Sequence, residues 1–328
     1  MKIKSLKGVN LGGWLVLERW ITPSIFNNTT AIDEYSLCSE LGAVKSRKLL
    51  EKHRKNFITT ADFKWIKDNG AELLRIPVGY WIFGDKKPYL SCIEYLDFAF
   101  KNAEKFGLEV IIDFHGAAGS QNSKQHSGQK GLMEWYKSSN QSKSLQVIER
   151  LAKRYGKSPS LYGLELLNEP DSSIPYKTLY DFYVKGYKIV RKYCSEEVAV
   201  IISDQFRPFR WRLGLGKRFK NVVLDIHLYQ IFGKRNKSRK YRQQIQIVKY
   251  VWRLHIWIIQ RTIPVLIGEW SAVSNKSLGN NSQEYMNLQM QAFSTARGWC
   301  YWTYKTEHNS SWSYRFSVNR HSQRLNHR

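Results

Sequence analysis

Short, nearly continuous apolar runs alternate along this chain with longer segments whose apolar residues recur every three or four positions. "LEVIIDFHG" (108–116) is a run of the first kind, brief, rich in β-branched and aromatic residues, and bounded by Gly107. The segment before it is of the second kind. Tyr95, Leu96, Phe98, Ala99, Ala103 and Phe106 share one helical face, Ser91 and Glu94 have capping-box spacing at its start, and Gly107 ends it. The alternation recurs. Leu145, Ile148, Leu151 and Tyr155 mark a helix that stops at Gly156, ahead of "LYGLELLNEP" (161–170), and a helix over about residues 61–69 precedes "AELLRIPVGYW" (71–81). The remaining strand candidates are "KGVNLGG", "VAVIISD", "VVLDIHLY", "IPVLIGEW" and "RGWCYWTYK".

Eight strands of this kind, each a run rather than a strict alternation, suit parallel strands covered by helices. The expected architecture is therefore α/β, a (β/α)8 TIM barrel forming one domain over residues 1–328. A doubly wound sheet is disfavoured, because "VNLGGW" lacks the glycine spacing of a dinucleotide-binding turn.

Composition changes this picture little. At 42% hydrophobic, 328 residues suffice for a large core, and no linker-like stretch divides them. The four cysteines (Cys38, Cys92, Cys194 and Cys300) are scattered, which fits neither a zinc site nor a disulfide framework. "MKIKSLKGVNLGG" holds no apolar stretch of signal-peptide length, so a cytoplasmic location is expected. No run is long enough to span a membrane. The outlying number is a formal charge of +25, which invites an anionic partner.

In a barrel of this type the chemistry lies at the carboxyl ends of the strands. Those ends carry Asn10 and Trp14, Arg75, His115, Asn168 with Glu169, Asp204, His227 with Tyr229, Glu269, and Trp302. Singly, each has an ordinary structural reading; together they place two glutamates in one mouth among Arg, His, Tyr and Trp. That set suits glycosidic bond cleavage. One carboxyl group, its pKa raised, protonates the departing oxygen, while the other stays ionised and attacks the anomeric carbon. Arg75 is the candidate to keep Glu269 ionised, Tyr229 to hold it, Asn168 to bind a sugar 2-hydroxyl, and Trp302 to face a pyranose ring. His115 and His227 add hydroxyl-binding donors. No metal or other cofactor is needed for such chemistry.

"KGVNLGGWLVLERWITPSIF", "LLRIPVGYW", "DFHGAAGSQN", "LLNEP", "DIHLYQIF", "IGEW" and "YWTYKTE", in this order, resemble glycoside hydrolase family 5 and specifically its exo-β-1,3-glucanase branch. The resemblance implies a retaining (β/α)8 enzyme with Glu169 as acid/base and Glu269 as nucleophile. It implies an innermost glucose subsite lined by Arg75, His115, Asn168, His227, Tyr229 and Trp302. Glu18 matches the residue that holds distal glucose hydroxyls and closes the pocket. Phe232 matches one half of an aromatic clamp at the entrance; where the family commonly places the other Phe, this chain has Lys124.

The expected partner is thus a β-glucan or β-glucoside, acted on by a monomer. The rival reading is a catalytically weak barrel that binds an anionic polymer or carbohydrate through its basic surface. Two segments, "RPFRWRLGLGKRFK" and "GKRNKSRKYR", supply the charge, but they lie in loops and match no nucleic-acid-binding fold, so nucleic acid is not expected.

Overall fold

Eight parallel strands close into a barrel. They are β1 (Leu6–Asn10), β2 (Leu73–Gly79), β3 (Glu109–Gly116), β4 (Leu161–Glu165), β5 (Ala199–Ser203), β6 (Val222–Leu228), β7 (Val265–Trp270) and β8 (Gly298–Tyr301). Each pairs with the next in sequence, and β8 returns to β1 through Leu6↔Gly298 to Val9↔Tyr301. The computed structural model describes residues 5–212, 214–274 and 282–325.

The helices between strands cover the outside, and the two apolar layers follow from the strand period of two. Leu74, Ile76, Val110, Ile112, Val200 and Leu224 point outward into the main core beneath the helices. Leu73, Ile111, Ile201, Val223, Leu266 and Cys300 form a separate cluster that plugs the barrel interior. Two residues further along β2, β3 and β6, on that same inward face, stand Arg75, Asp113 and Asp225, all fully buried. The apolar plug thus gives way to a charged layer, and the site is built on it.

The helix of Ile93–Phe106 ends at Gly107, whose φ of 60° is a left-handed C-cap. Its start differs from the expected one. Cys92 is the N-cap and makes no side-chain cap bond, while the Ser91 hydroxyl donates to Ile82 O at 3.2 Å. Ser91 instead ties the helix to the turn after β2, so the Ser–Glu spacing is coincidental. A longer helix, Glu34–Phe57, stands before β2 with Asp33 and Ser36 as a true capping box. Its Arg54 and Glu34 form a buried ion pair at 2.8 Å. Leu17 N donates to Glu34 at 3.2 Å, so this pair anchors the loop that carries Glu18.

Candidate active site

Arg75 is the centre of the charged layer. Its guanidinium donates to Glu165 at 2.8 and 3.1 Å, to Glu269 at 3.1 Å, to Asn168 Oδ1 at 2.9 Å and to Asn10 Oδ1 at 3.0 Å. It also lies 3.0 Å from Asp113 and 3.6 Å from Asp225. Four carboxylates therefore share one fixed cation, and two histidines stand against two of them. His115 Nδ1 is 2.6 Å from Asp113, and His227 Nε2 is 3.2 Å from Asp225.

Removing the guanidinium leaves these carboxylates buried without their cation. Arg75→Met is expected to lose about 3–5 kcal/mol of stability in urea unfolding at neutral pH. The sign of its pH dependence is definite. Carboxyl pKa values that rise on folding favour the fold below their unfolded values, and that advantage is lost as pH rises. The variant should therefore recover stability on acidification.

Glu269 lies within β7, but Glu169 does not lie on β4. That strand ends at Glu165, and Asn168 N then bonds Phe114 O at 3.0 Å before the chain turns at Glu169 with φ 38°. A non-glycine residue in this region is strained, and here its surroundings enforce it. Gln121 donates to His115 O at 2.7 Å and to Asn168 O at 2.9 Å, while Asn122 donates to Glu169 O at 3.0 Å. The loop after β3 thus buttresses the dipeptide that carries the carboxylate.

The two carboxylates meet across His227. Its Nδ1 is 2.9 Å from Glu169 Oε1 and 3.5 Å from Glu269 Oε2. One oxygen of each carboxylate and a nitrogen of this imidazole all lie within 4.8 Å of one another. Inversion needs room for a water between the carboxyl groups, roughly 6.5–9.5 Å; double displacement uses about 5–5.5 Å. Carboxylate oxygens within 4.8 Å of each other fall on the double-displacement side of that division.

Both ring nitrogens of His227 face carboxylates, and Glu269 and Asp225 push its pKa well above the ordinary histidine value against the effect of burial. Burial alone would raise Glu169. The hydrogen bond and charge of His227, with His126 and Lys124 behind them, instead hold it well below the usual carboxylate range. Burial raises Glu269, opposed by His227 and Arg75. This order is the reverse of the expected raised acid. The reason is that His227, one hydrogen bond from Glu169, favours the ionised form of that carboxylate.

Other expected residues converge on the same place. Tyr229 donates to Glu269 Oε2 at 3.0 Å. Trp302 is buried with its ring parallel to His115 at 5.5 Å. Glu18 accepts from Trp20 Nε1 at 2.8 Å, and burial pushes its carboxyl up to about 7. Phe232 is exposed on the rim and packs against Tyr229 and Trp312. Lys124 is half-exposed, with Nζ 3.4 Å from Glu169 Oε2 and 5.7 Å from the Phe206 ring centroid. Two further strand-tip candidates serve the frame, although Asp204 stays within electrostatic reach of His227, Asp225 and Glu169. Trp14 is core, donating to Arg54 O at 2.8 Å, and Asp204 accepts from Phe206 N at 2.8 Å to shape the turn after β5.

Asp113, Glu165, Asp225, Gln121, Asn122 and His126 were not foreseen. A signal existed for two of them, since an acid stands two residues before each strand-end histidine and so faces the same way. As for metals, Glu165–Asp225–His227 and Glu169–His227–Glu269 have ligand-like spacing. Arg75 already donates to Glu165 and Glu269, and a cation there would sit against the fixed charge of its guanidinium.

The sequence profile of cellulase (glycosyl hydrolase family 5) matches residues 40–308. The chain belongs to glycosyl hydrolase family 5. This family 5 chain is 31% identical over 358 residues to the probable glucan 1,3-beta-glucosidase A of Aspergillus niger, covering 95% of this chain and 85% of that one. It is 32% identical to glucan 1,3-beta-glucosidase 1 of Schizosaccharomyces pombe, over 92% and 83% of the two chains. In fold it resembles rutinosidase from Aspergillus niger, with TM-score 0.82, 24% identity and 97% and 98% of the chains covered. Endoglucanase Cel5A of Thermotoga maritima has TM-score 0.64 and 18% identity over 94% and 91%. The (β/α)8 fold and glycoside hydrolase chemistry read from the sequence both hold for this family 5 chain.

Proposed function

We propose that the chain is a retaining exo-β-glucosidase that releases single glucose units from the non-reducing ends of β-1,3-linked glucans. The carrying observation is the approach of Glu169 and Glu269 within 4.8 Å around His227. Relatives about 31–32% identical bear glucan 1,3-beta-glucosidase names, which supports the linkage.

Glu269 attacks the anomeric carbon, held by Arg75 on Oε1 and Tyr229 on Oε2. The bond to the aglycone oxygen breaks as that oxygen takes the proton kept on the Glu169–His227 pair. Water, deprotonated by Glu169, then displaces Glu269. Asn168 spends its oxygen on Arg75, so its amide NH2 is the group left to meet a sugar 2-hydroxyl. Trp302 offers the apolar floor. Glu18 closes the far end of the pocket, which restricts entry to chain termini. Labelled laminari-oligosaccharides should yield glucose from the earliest times; a ladder of intermediate oligomers appearing first would mean an open cleft.

Lys124 sets this chain's own character. Its ammonium favours the ionised form of Glu169, and activity needs a proton on that pair. Lys124→Met should therefore move the alkaline limb of the pH–rate profile upward by about 0.5–1 unit. Lys124→Phe restores a stacking face at the entrance and should lower KM for neutral laminari-oligosaccharides.

A monomer in a reducing compartment fits this reading, since all four cysteines are buried free thiols. The mouth is lined for sugars rather than nucleic acid. Light scattering and cell fractionation test the two assignments.

A further inference from the structure

Residues 205–264 contain fifteen Lys and Arg and a single acid, the buried Asp225, and none of the catalytic chemistry uses that charge. The same stretch builds an unusual helix. It runs from Tyr241–Gln246 through a π-helical segment, Ile247–Trp252, into Arg253–Gln260. One face is ordinary: Val248, Trp252, Ile256 and Ile259 are buried in the main core. On the opposite side, where a surface helix normally carries charge, stand Tyr250, Val251, Leu254 and Trp257. Tyr250 is 69% exposed and Leu254 52%.

The chain is thus apolar on both faces of one helix, and Lys249, Arg253 and Arg261 flank the outer one. The Arg261 guanidinium lies 3.3 Å over the Trp257 ring. Phe209, also exposed, extends the face by packing edge-on against His255 at 5.0 Å, with exposed Arg207 and Arg210 beside it. Aromatic and aliphatic groups ringed by Arg and Lys match a lipid interface. The apolar groups enter the headgroup boundary while long cationic side chains reach the phosphates.

We propose that this face docks on the surface of an anionic lipid bilayer. The charge decides the occupant. A second copy of the chain, packed face to face, would bring Lys249, Arg253 and Arg261 against their own kind. An anionic bilayer is complementary to both the charge and the apolar groups. The face begins three residues from Phe206, which carries the Lys124 ammonium beside Glu169. Docking therefore holds the leaving-group side of the mouth close to the membrane, a property separate from hydrolysis itself.

The test is flotation of the full-length chain with vesicles of phosphatidylcholine alone or mixed with phosphatidylglycerol. The chain should float only with the phosphatidylglycerol vesicles, and less as salt rises. Arg253→Gln should weaken partition about fivefold, the contribution of one cation near such a surface. Leu254→Glu and Trp257→Glu should each weaken it at least about tenfold by opposing both the apolar contact and the charge. All three variants should hydrolyse a soluble aryl β-glucoside at the wild-type rate, which shows that they fold. No flotation, equal flotation on neutral vesicles, or binding untouched by the three changes would overturn the proposal. So would a wild-type dimer that Trp257→Glu dissociates, or retention on DNA in place of vesicles.

Discussion

Glu269→Ala is expected to fold normally and to hydrolyse an aryl β-glucoside about 100,000-fold more slowly than the wild type. The fold survives because Arg75 retains Asp113, Glu165 and Asp225 as partners. Turnover collapses because the carbon–oxygen bond of the intermediate has no atom to form with. Azide fits the space left by the carboxylate and should restore part of the rate, giving a glucosyl azide of inverted configuration. Near-normal turnover without azide would remove Glu269 from the nucleophile's role.

Glu169→Ala should fail in a different way. A glucoside with a poor leaving group needs the proton, and its rate should fall by about 1,000-fold. A dinitrophenyl glucoside, whose leaving group departs unaided, should still form the intermediate and then wait for water. Azide should accelerate that second step and give a product of retained configuration, the opposite of the Glu269→Ala result. The alkaline limb of the pH profile should also disappear, since the pair that holds the proton is broken. Equal loss on both substrates in the first step would contradict the acid role.

The barrel was legible because the apolar runs are short and most are bounded by Gly, Pro or an acid. All eight strands fall where the runs are. The meeting of Glu169, Glu269 and Arg75 in one place was legible too, since side chains at or just past strand ends converge in this fold. What stayed hidden was the inner charged layer. Glu165 lies inside "GLELLNEP" and looks like an interruption of an apolar run, yet it is the Arg75 partner at 2.8 Å. Its role depends on β2 and β4 reaching across the barrel, a relation between residues ninety positions apart. The order of the two pKa values was hidden for a related reason. A raised acid follows from burial alone, whereas His227 at the end of β6 and His126 with Lys124 in the loop after β3 arrive from two separate segments and reverse it. Gln121 and Asn122 look like loop polarity until the strained turn at Glu169 shows what they hold.

Proton NMR of the first sugar released measures the central claim most directly. Wild-type chain is added to an aryl β-glucoside and the anomeric signals are followed before mutarotation blurs them. Two displacements, with Glu269 carrying the glucosyl group between them, predict that β-glucose appears first and the α-anomer grows in only at the rate of spontaneous mutarotation. α-Glucose as the first product would mean a single displacement by water and would contradict the account.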